Sequence, residues 1–295
     1  MSVIWAYCLP MVSLQFMGML FGIYLMKYST DVLLVAPGAM GVLFLIGRLW
    51  DAVSDPLVGY LSDRSRARRG RRRSWMLASA LPILASTVML WAPPTVLHSL
   101  PLVVWMGSAL LLYETAYTAF YVPWGALGME LTSKYHERTR LFGYRHVIAA
   151  GGSALGLGGV WLLRTAEEPR PMAFALALGG GTAVAGMIVH AVSRLSERPD
   201  YQGRGAVDIR SAFADVLRNT HGRLLFFVFA VETFGSASIG MLAPYVMQYV
   251  VKNPELTEVF ILVYFVPQFA LTPIWIRLSR RFGKKRLWLL SLIHI

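Results

Sequence analysis

Asp51 and Asp55 stand four residues apart in the stretch Arg48-Leu-Trp-Asp51-Ala-Val-Ser-Asp55-Pro56-Leu-Val-Gly59, within an otherwise apolar run. On a helix that spacing puts both carboxylates on one face. Acidic side chains in an apolar span are costly unless they face protein, water or an ion. Two neighbouring carboxylates repel, and a bound cation or proton relieves the repulsion. Oxygen ligands suit a hard ion such as Na+; the same pair could instead take a proton. Arg48 could pair with these carboxylates when no ion is present, as could the arginine-rich stretch that follows. Just beyond, Gly59, Asp63 and Arg64 close the run. A glycine allows close helix approach, and an Asp–Arg pair can latch neighbouring helices, so these residues, with Arg48, read as a conformational lock.

A second group lies in Glu114, Tyr117, Thr118, Tyr121, Pro123 and Trp124. Tyr117 and Tyr121 share a helix face with Thr118 beside them. Thr118 offers an uncharged oxygen to an ion, and Tyr121 and Trp124 could stack on an apolar face of a substrate. Pro123 can kink the helix and free a carbonyl. Glu114 is expected nearer the outer end of its span. Gln15 falls midway along the first apolar run, and Arg145 opens another on its basic side. Turned inward, the Arg145 guanidinium could fork onto a hydroxyl or carboxylate.

The elements that must carry these residues are membrane helices. Of 295 residues, 56% are apolar and 15% charged, where soluble domains carry about 25% charge. Apolar spans fall at about 5–26, 34–60, 75–92, 101–127, 142–163, 172–192, 224–249 and 256–276, and a ninth begins at Leu287. A hydrocarbon core of about 30 Å needs about 20 helical residues. The connections after spans two, four, six and eight hold 23 of the 28 Lys and Arg. This alternation is the positive-inside pattern and puts the N-terminus in the cytoplasm. The net charge of +12 is thereby a matter of orientation, with the lipid bilayer as its partner and no nucleic acid. The single cysteine, Cys8, and six scattered His, with no HExxH or CxxC, supply no cofactor or metal site and no catalytic constellation, so an enzyme is not expected. Span five carries Ala149-Ala-Gly-Gly-Ser-Ala-Leu-Gly-Leu-Gly-Gly159, a small-residue face suited to tight helix contact.

Two stretches repeat. Pro56-Leu-Val-Gly-Tyr-Leu-Ser-Asp63-Arg64 and Pro273-Ile-Trp-Ile-Arg-Leu-Ser-Arg280-Arg281 each end a span on the basic side, six spans apart. Such a separation marks two parallel six-helix halves. Residues 1–192 would form the first bundle, 193–223 a cytoplasmic central loop, and 224–295 the start of a second bundle. About eight and a half of twelve expected spans are then present. The final Leu290-Ser-Leu-Ile-His-Ile295 corresponds to the translation of a transposase adapter used in library preparation, so the native protein is expected to continue beyond Leu289.

With these motifs in view, the sequence resembles the glycoside–pentoside–hexuronide:cation symporters, the melibiose-carrier-like branch of the major facilitator superfamily. The run from Arg48 to Arg64, followed by Gly70-Arg-Arg-Arg-Ser-Trp75, carries the likeness. Tyr117-Thr118 through Pro123 adds to it, as do Glu130-Leu-Thr, Glu137-Arg138-Thr139 and Arg145. The resemblance implies a twelve-helix, all-α fold. It also implies symport of a sugar or related solute with Na+, H+ or Li+. Asp51 and Asp55 fall on the family's cation carboxylates, Thr118 on a threonine that helps hold Na+, and Arg145 on a sugar-contacting arginine. Two sugar-binding aspartates of the melibiose carrier are Gln15 and Tyr121 here, and its stacking tryptophan is Gly125, next to Trp124. The cation half of the site is retained and the galactoside half is not. The expectation is a monomeric, cation-coupled symporter of a sugar, glycoside or uronate in a bacterial inner membrane. An uncoupled facilitator, a transporter of lipid or another solute, and a non-transporting structural or receptor protein are the alternatives.

Overall fold

Proline sets the first break in the fold. Pro10 has no amide hydrogen to give to the turn before it, and the opening span divides there into α1 (Ser2–Cys8) and α2 (Pro10–Met19). A π-helical turn, Leu20–Tyr24, then joins α2 to α3 (Leu25–Asp31), so the expected single helix is built in pieces. These elements come from a computed structural model. It describes residues 2–132, 135–198, 200, 214, 218–257, 259–263, 271, 274, 278 and 281–282.

The remaining spans are longer and follow the apolar runs: α4 (Pro37–Arg64), α5 (Arg71–Trp91), α6 (Ser99–Glu130), α7 (Tyr135–Thr165), α8 (Pro169–Arg194) and α9 (Thr220–Tyr245). No strand occurs among the described residues. Among the described residues, five spans are long and apolar enough to cross a membrane by length and composition: Val3–Asp31, Arg71–Trp91, Ser99–Glu130, Arg140–Thr165 and Pro169–Arg194. At 28 residues, α4 is also long; it is outside that set and carries Arg48, Asp51, Asp55, Asp63 and Arg64. The helices overrun the apolar runs at their basic ends. Thus α5 starts at Arg71 and α4 reaches Arg64, because those side chains find partners beside the helix ends.

The chain divides into two units, Met1–Leu242 and Ala243–Ile295. In the first, α5 packs on both α6 and α8, α2 packs on both α7 and α8, and α4 lies along α6. The small face of α7 allows the α2 contact. A Cβ on Gly152 would lie 2.9 Å from Val12 Cα, and one on Gly156 would lie 2.8 Å from the Phe16 carbonyl oxygen. Neither distance is tolerable for a larger residue. The described part of the second unit contains a π-helical turn, Val246–Val250, and a short 3-10 turn, Pro254–Leu256. Much of the eighth expected span, most of the second copy of the repeat and the ninth span lie outside the described residues.

Candidate functional site

The α4–α6 contact is built from matched rungs. Thr118 Oγ1 donates to Asp55 Oδ1 at 2.8 Å. One turn earlier on α6, Glu114 accepts a hydrogen bond from Arg48 of α4. Between these rungs, Arg48 Nη1 lies 2.9 Å from Asp51 Oδ2. On the flank, Trp50 Nε1 donates to Thr115 Oγ1 at 2.8 Å. The i, i+3 and i, i+4 spacings on two facing helices place all these groups together. Asp51, Asp55, Thr118, Arg48 and Glu114 line one cleft of about 310 Å³, roofed by Gly18 and Phe21 of the first span and closed by Tyr113, Tyr117 and Tyr121. The π-helical turn carries Phe21, whose ring stacks on Tyr113 at 4.9 Å.

A second cleft, of about 370 Å³, shares tyrosines with the first. Met11 and Gln15 of α2, Tyr117 and Tyr121 of α6, and Phe142, Arg145, His146 and Ala149 of α7 line it. Tyr117 and Tyr121 stack with ring centroids 5.3 Å apart and belong to both clefts. Arg145 Nη2 donates to the Tyr121 hydroxyl at 2.9 Å, while its guanidinium lies 4.6 Å from the Trp124 ring centroid. Trp124 itself is 0% exposed. Its Nε1 donates to the Tyr7 carbonyl oxygen at 3.0 Å, and its ring stacks on Tyr7 at 4.6 Å. Trp124 therefore stands behind Arg145, away from the cleft surface, where it supports the guanidinium as a cation–π base.

Of the expected lock residues, Arg48 stands in the first cleft, and Gly59, Asp63 and Arg64 lie towards the C-terminal end of α4. Asp63 receives Arg72 at 2.8 Å, with Arg71 at 3.9 Å. Both arginines also reach Glu130 at the end of α6, each at 2.8 Å. Arg71 and Arg72 are only 7% exposed; such buried charges persist because they are paired. Arg64 lies instead over the Tyr60 ring, 4.3 Å from its centroid. Gly59 faces α6, where a Cβ would touch Val122 Cγ1 at 3.6 Å. Beyond α8, the Glu197 carboxylate accepts from the backbone amides of Arg71, Arg72 and Arg73 at 3.1, 2.9 and 2.9 Å. Those are free donors of the first turn of α5. Gly70 makes room for this cap, with φ at +106°.

Of the residues expected from the sequence, Asp51, Asp55 and Thr118 come together in one cleft and Gln15, Tyr121 and Arg145 in the other, while Glu114 was not expected as a cleft residue. It is 4% exposed and pairs with Arg48, whereas an outer-end position was expected. Its spacing of four from Thr118 was the available signal. Glu197 and His146 gave no comparable signal.

The family described as MFS/sugar transport protein matches residues 6–295. The chain belongs to that family. Its helices, with no strand among the described residues, are the membrane fold of major facilitator transporters, a family of transporters and not of enzymes. Among similar proteins, the putative glycoside/cation symporter YagG of Escherichia coli (strain K12) is 28% identical over 240 residues, 80% of this chain and 52% of that protein. The inner membrane symporter YicJ of the same strain is 34% identical over 133 residues, 45% of this chain and 29% of that protein. The sodium-dependent lysophosphatidylcholine symporter 1-A of Danio rerio is 32% identical over 143 residues, 48% of this chain and 26% of that protein. Across these three curated relatives, the matched region spans from about a quarter to about half of their length.

Proposed function

We propose that this family member is a cation-coupled symporter of a sugar, glycoside or uronate, with Na+ or H+ as coupling ion, working by alternating access in a bacterial inner membrane. The observation that carries this reading is the adjacency of the two clefts. One presents Asp51, Asp55 and Thr118, the other Gln15, Tyr121 and Arg145, and a single pair of stacked tyrosines divides them. In the first, Asp51 and Asp55 supply anionic oxygens and Thr118 a neutral one, a donor set for a hard cation. In the second, the Arg145 fork and the Gln15 amide meet polar groups of the solute, while Tyr117, Tyr121 and Phe142 give its apolar faces a wall. Trp124 serves by fixing Arg145. Asp63, with Arg71, Arg72 and Glu130, braces the cytoplasmic ends of α4, α5 and α6; with Arg48, Gly59 and Arg64 this brace is the lock that alternates with conformation.

Uptake by the full-length protein in proteoliposomes tests the reading, with Na+ and pH gradients imposed separately. Accumulation of a glycoside or uronate should follow one of these gradients and vanish in Asp55→Asn. Uptake indifferent to both gradients, and unchanged in Asp55→Asn, would refute symport. A second solute class is favoured by one observation: relatives such as the Danio rerio protein are named sodium-dependent lysophosphatidylcholine symporters. A lysophospholipid therefore belongs in the same uptake panel, and selective uptake of it would replace the sugar assignment while leaving the coupling intact.

A further inference from the structure

Glu114 has no part in the roles assigned above, yet it is a buried carboxylate inside the cation cleft. We propose that Glu114 is a positioning residue: it holds the Arg48 guanidinium against α6 and so keeps one oxygen of Asp51 open to the coupling cation. This inference rests on the cation role of Asp51 and Asp55.

Arg48 is a tethered cation one turn from Asp51, with planar donors suited to grip both oxygens of a single carboxylate. Closed on Asp51 in that way, it would fill the cation's place. The structure shows the fork divided instead. Nη1 is 2.9 Å from Asp51 Oδ2, and Nη2 is held by Glu114 Oε1. The other Asp51 oxygen, Oδ1, is buried and has no hydrogen-bond partner. A buried acceptor left in that condition costs free energy, and an arriving cation would recover it. Glu114 is well placed for the holding task. It is far more buried than Arg48, whose side chain is 59% exposed. Gly47 on α4 faces the same carboxylate: a Cβ at that position would lie in ordinary contact with Glu114 Cγ and Oε1, at 3.8 Å. Asp55, one turn further, is held by Thr118 rather than by Arg48. The guanidinium is thus kept to one edge of the carboxylate pair.

The test is Na+ binding by isothermal titration calorimetry on the purified full-length protein, with proton uptake at fixed Na+ followed in parallel. Wild type, E114Q, R48Q and the double variant are compared, each checked for folding by thermal melting. E114Q releases Arg48 onto Asp51 and should weaken cation binding about tenfold, within the usual range of coupling between sites. R48Q removes the competitor and should bind at least as tightly as wild type. The double variant should return to the R48Q value. If E114Q leaves binding unchanged, or if the double variant is as weak as E114Q, the inference is overturned; the second result would make Glu114 a ligand in its own right. Should E114Q fail to fold, R48Q decides, since weaker binding than wild type would also overturn it. A wild-type protein that neither binds Na+ nor takes up a proton refutes the cation reading itself.

Discussion

Arg145 is held on two sides, by the Tyr121 hydroxyl and by the Trp124 face, and that support fixes the direction of its remaining donors. Lysine keeps the charge but loses both the planar stack and the fork. Arg145→Lys should therefore raise the solute KM about tenfold, the worth of one charge-assisted hydrogen bond, while leaving Na+ or proton binding unchanged in the absence of solute. Parallel solute and cation titrations check this. At this scale the sequence revealed the carboxylate pair and the threonine, because charge in an apolar run stands out and helical spacing fixes the shared face. Trp124 and Glu114 were harder to place. An aromatic residue next to a candidate site looks the same in sequence whether it faces the cleft or supports a neighbour. The position of Glu114 depends on Arg48, a residue 66 positions away.

Among the elements, α5 shows what apolar patterning leaves out. Its first turn is arginine, which a hydropathy reading assigns to a loop, yet it is helical and buried against Asp63 and Glu130. The cap comes from Glu197, more than a hundred residues onward. The break at Pro10, by contrast, has a local cause in the sequence, although a single first span over 5–26 was expected. The cap depends on Gly70, whose φ of +106° a side chain resists and whose Cβ would sit 2.8 Å from Glu197 Cδ. Gly70→Ala should destabilise the protein by about 1–3 kcal/mol, the usual cost of so sparsely populated a backbone conformation. The check is a lowered thermal midpoint in detergent. Glu197→Gln, which keeps an acceptor oxygen, should cost less.

For the molecule as a whole, the alternation of basic connections predicts a cytoplasmic N-terminus. With Cys8 replaced by serine, a cysteine introduced by Ser2→Cys should react with a membrane-impermeant maleimide in inside-out vesicles and resist it in intact cells. The reverse pattern would invert the whole topology. The helices of the first six spans could be read from the sequence because hydrophobic thickness acts on every span alike. The meeting of two clefts could not, since it depends on how α2, α6 and α7 pack. The shared tyrosines make the two compartments a single partitioned room. On the symport proposed above, a solute that pushes Tyr117 or Tyr121 aside would alter the space around Thr118, and an ion that takes Thr118 from its hydrogen bond to Asp55 would alter the wall the solute leans on. Whatever factor the ion adds to solute affinity, the solute must return to the ion, and here two stacked rings are the short path by which that exchange would pass.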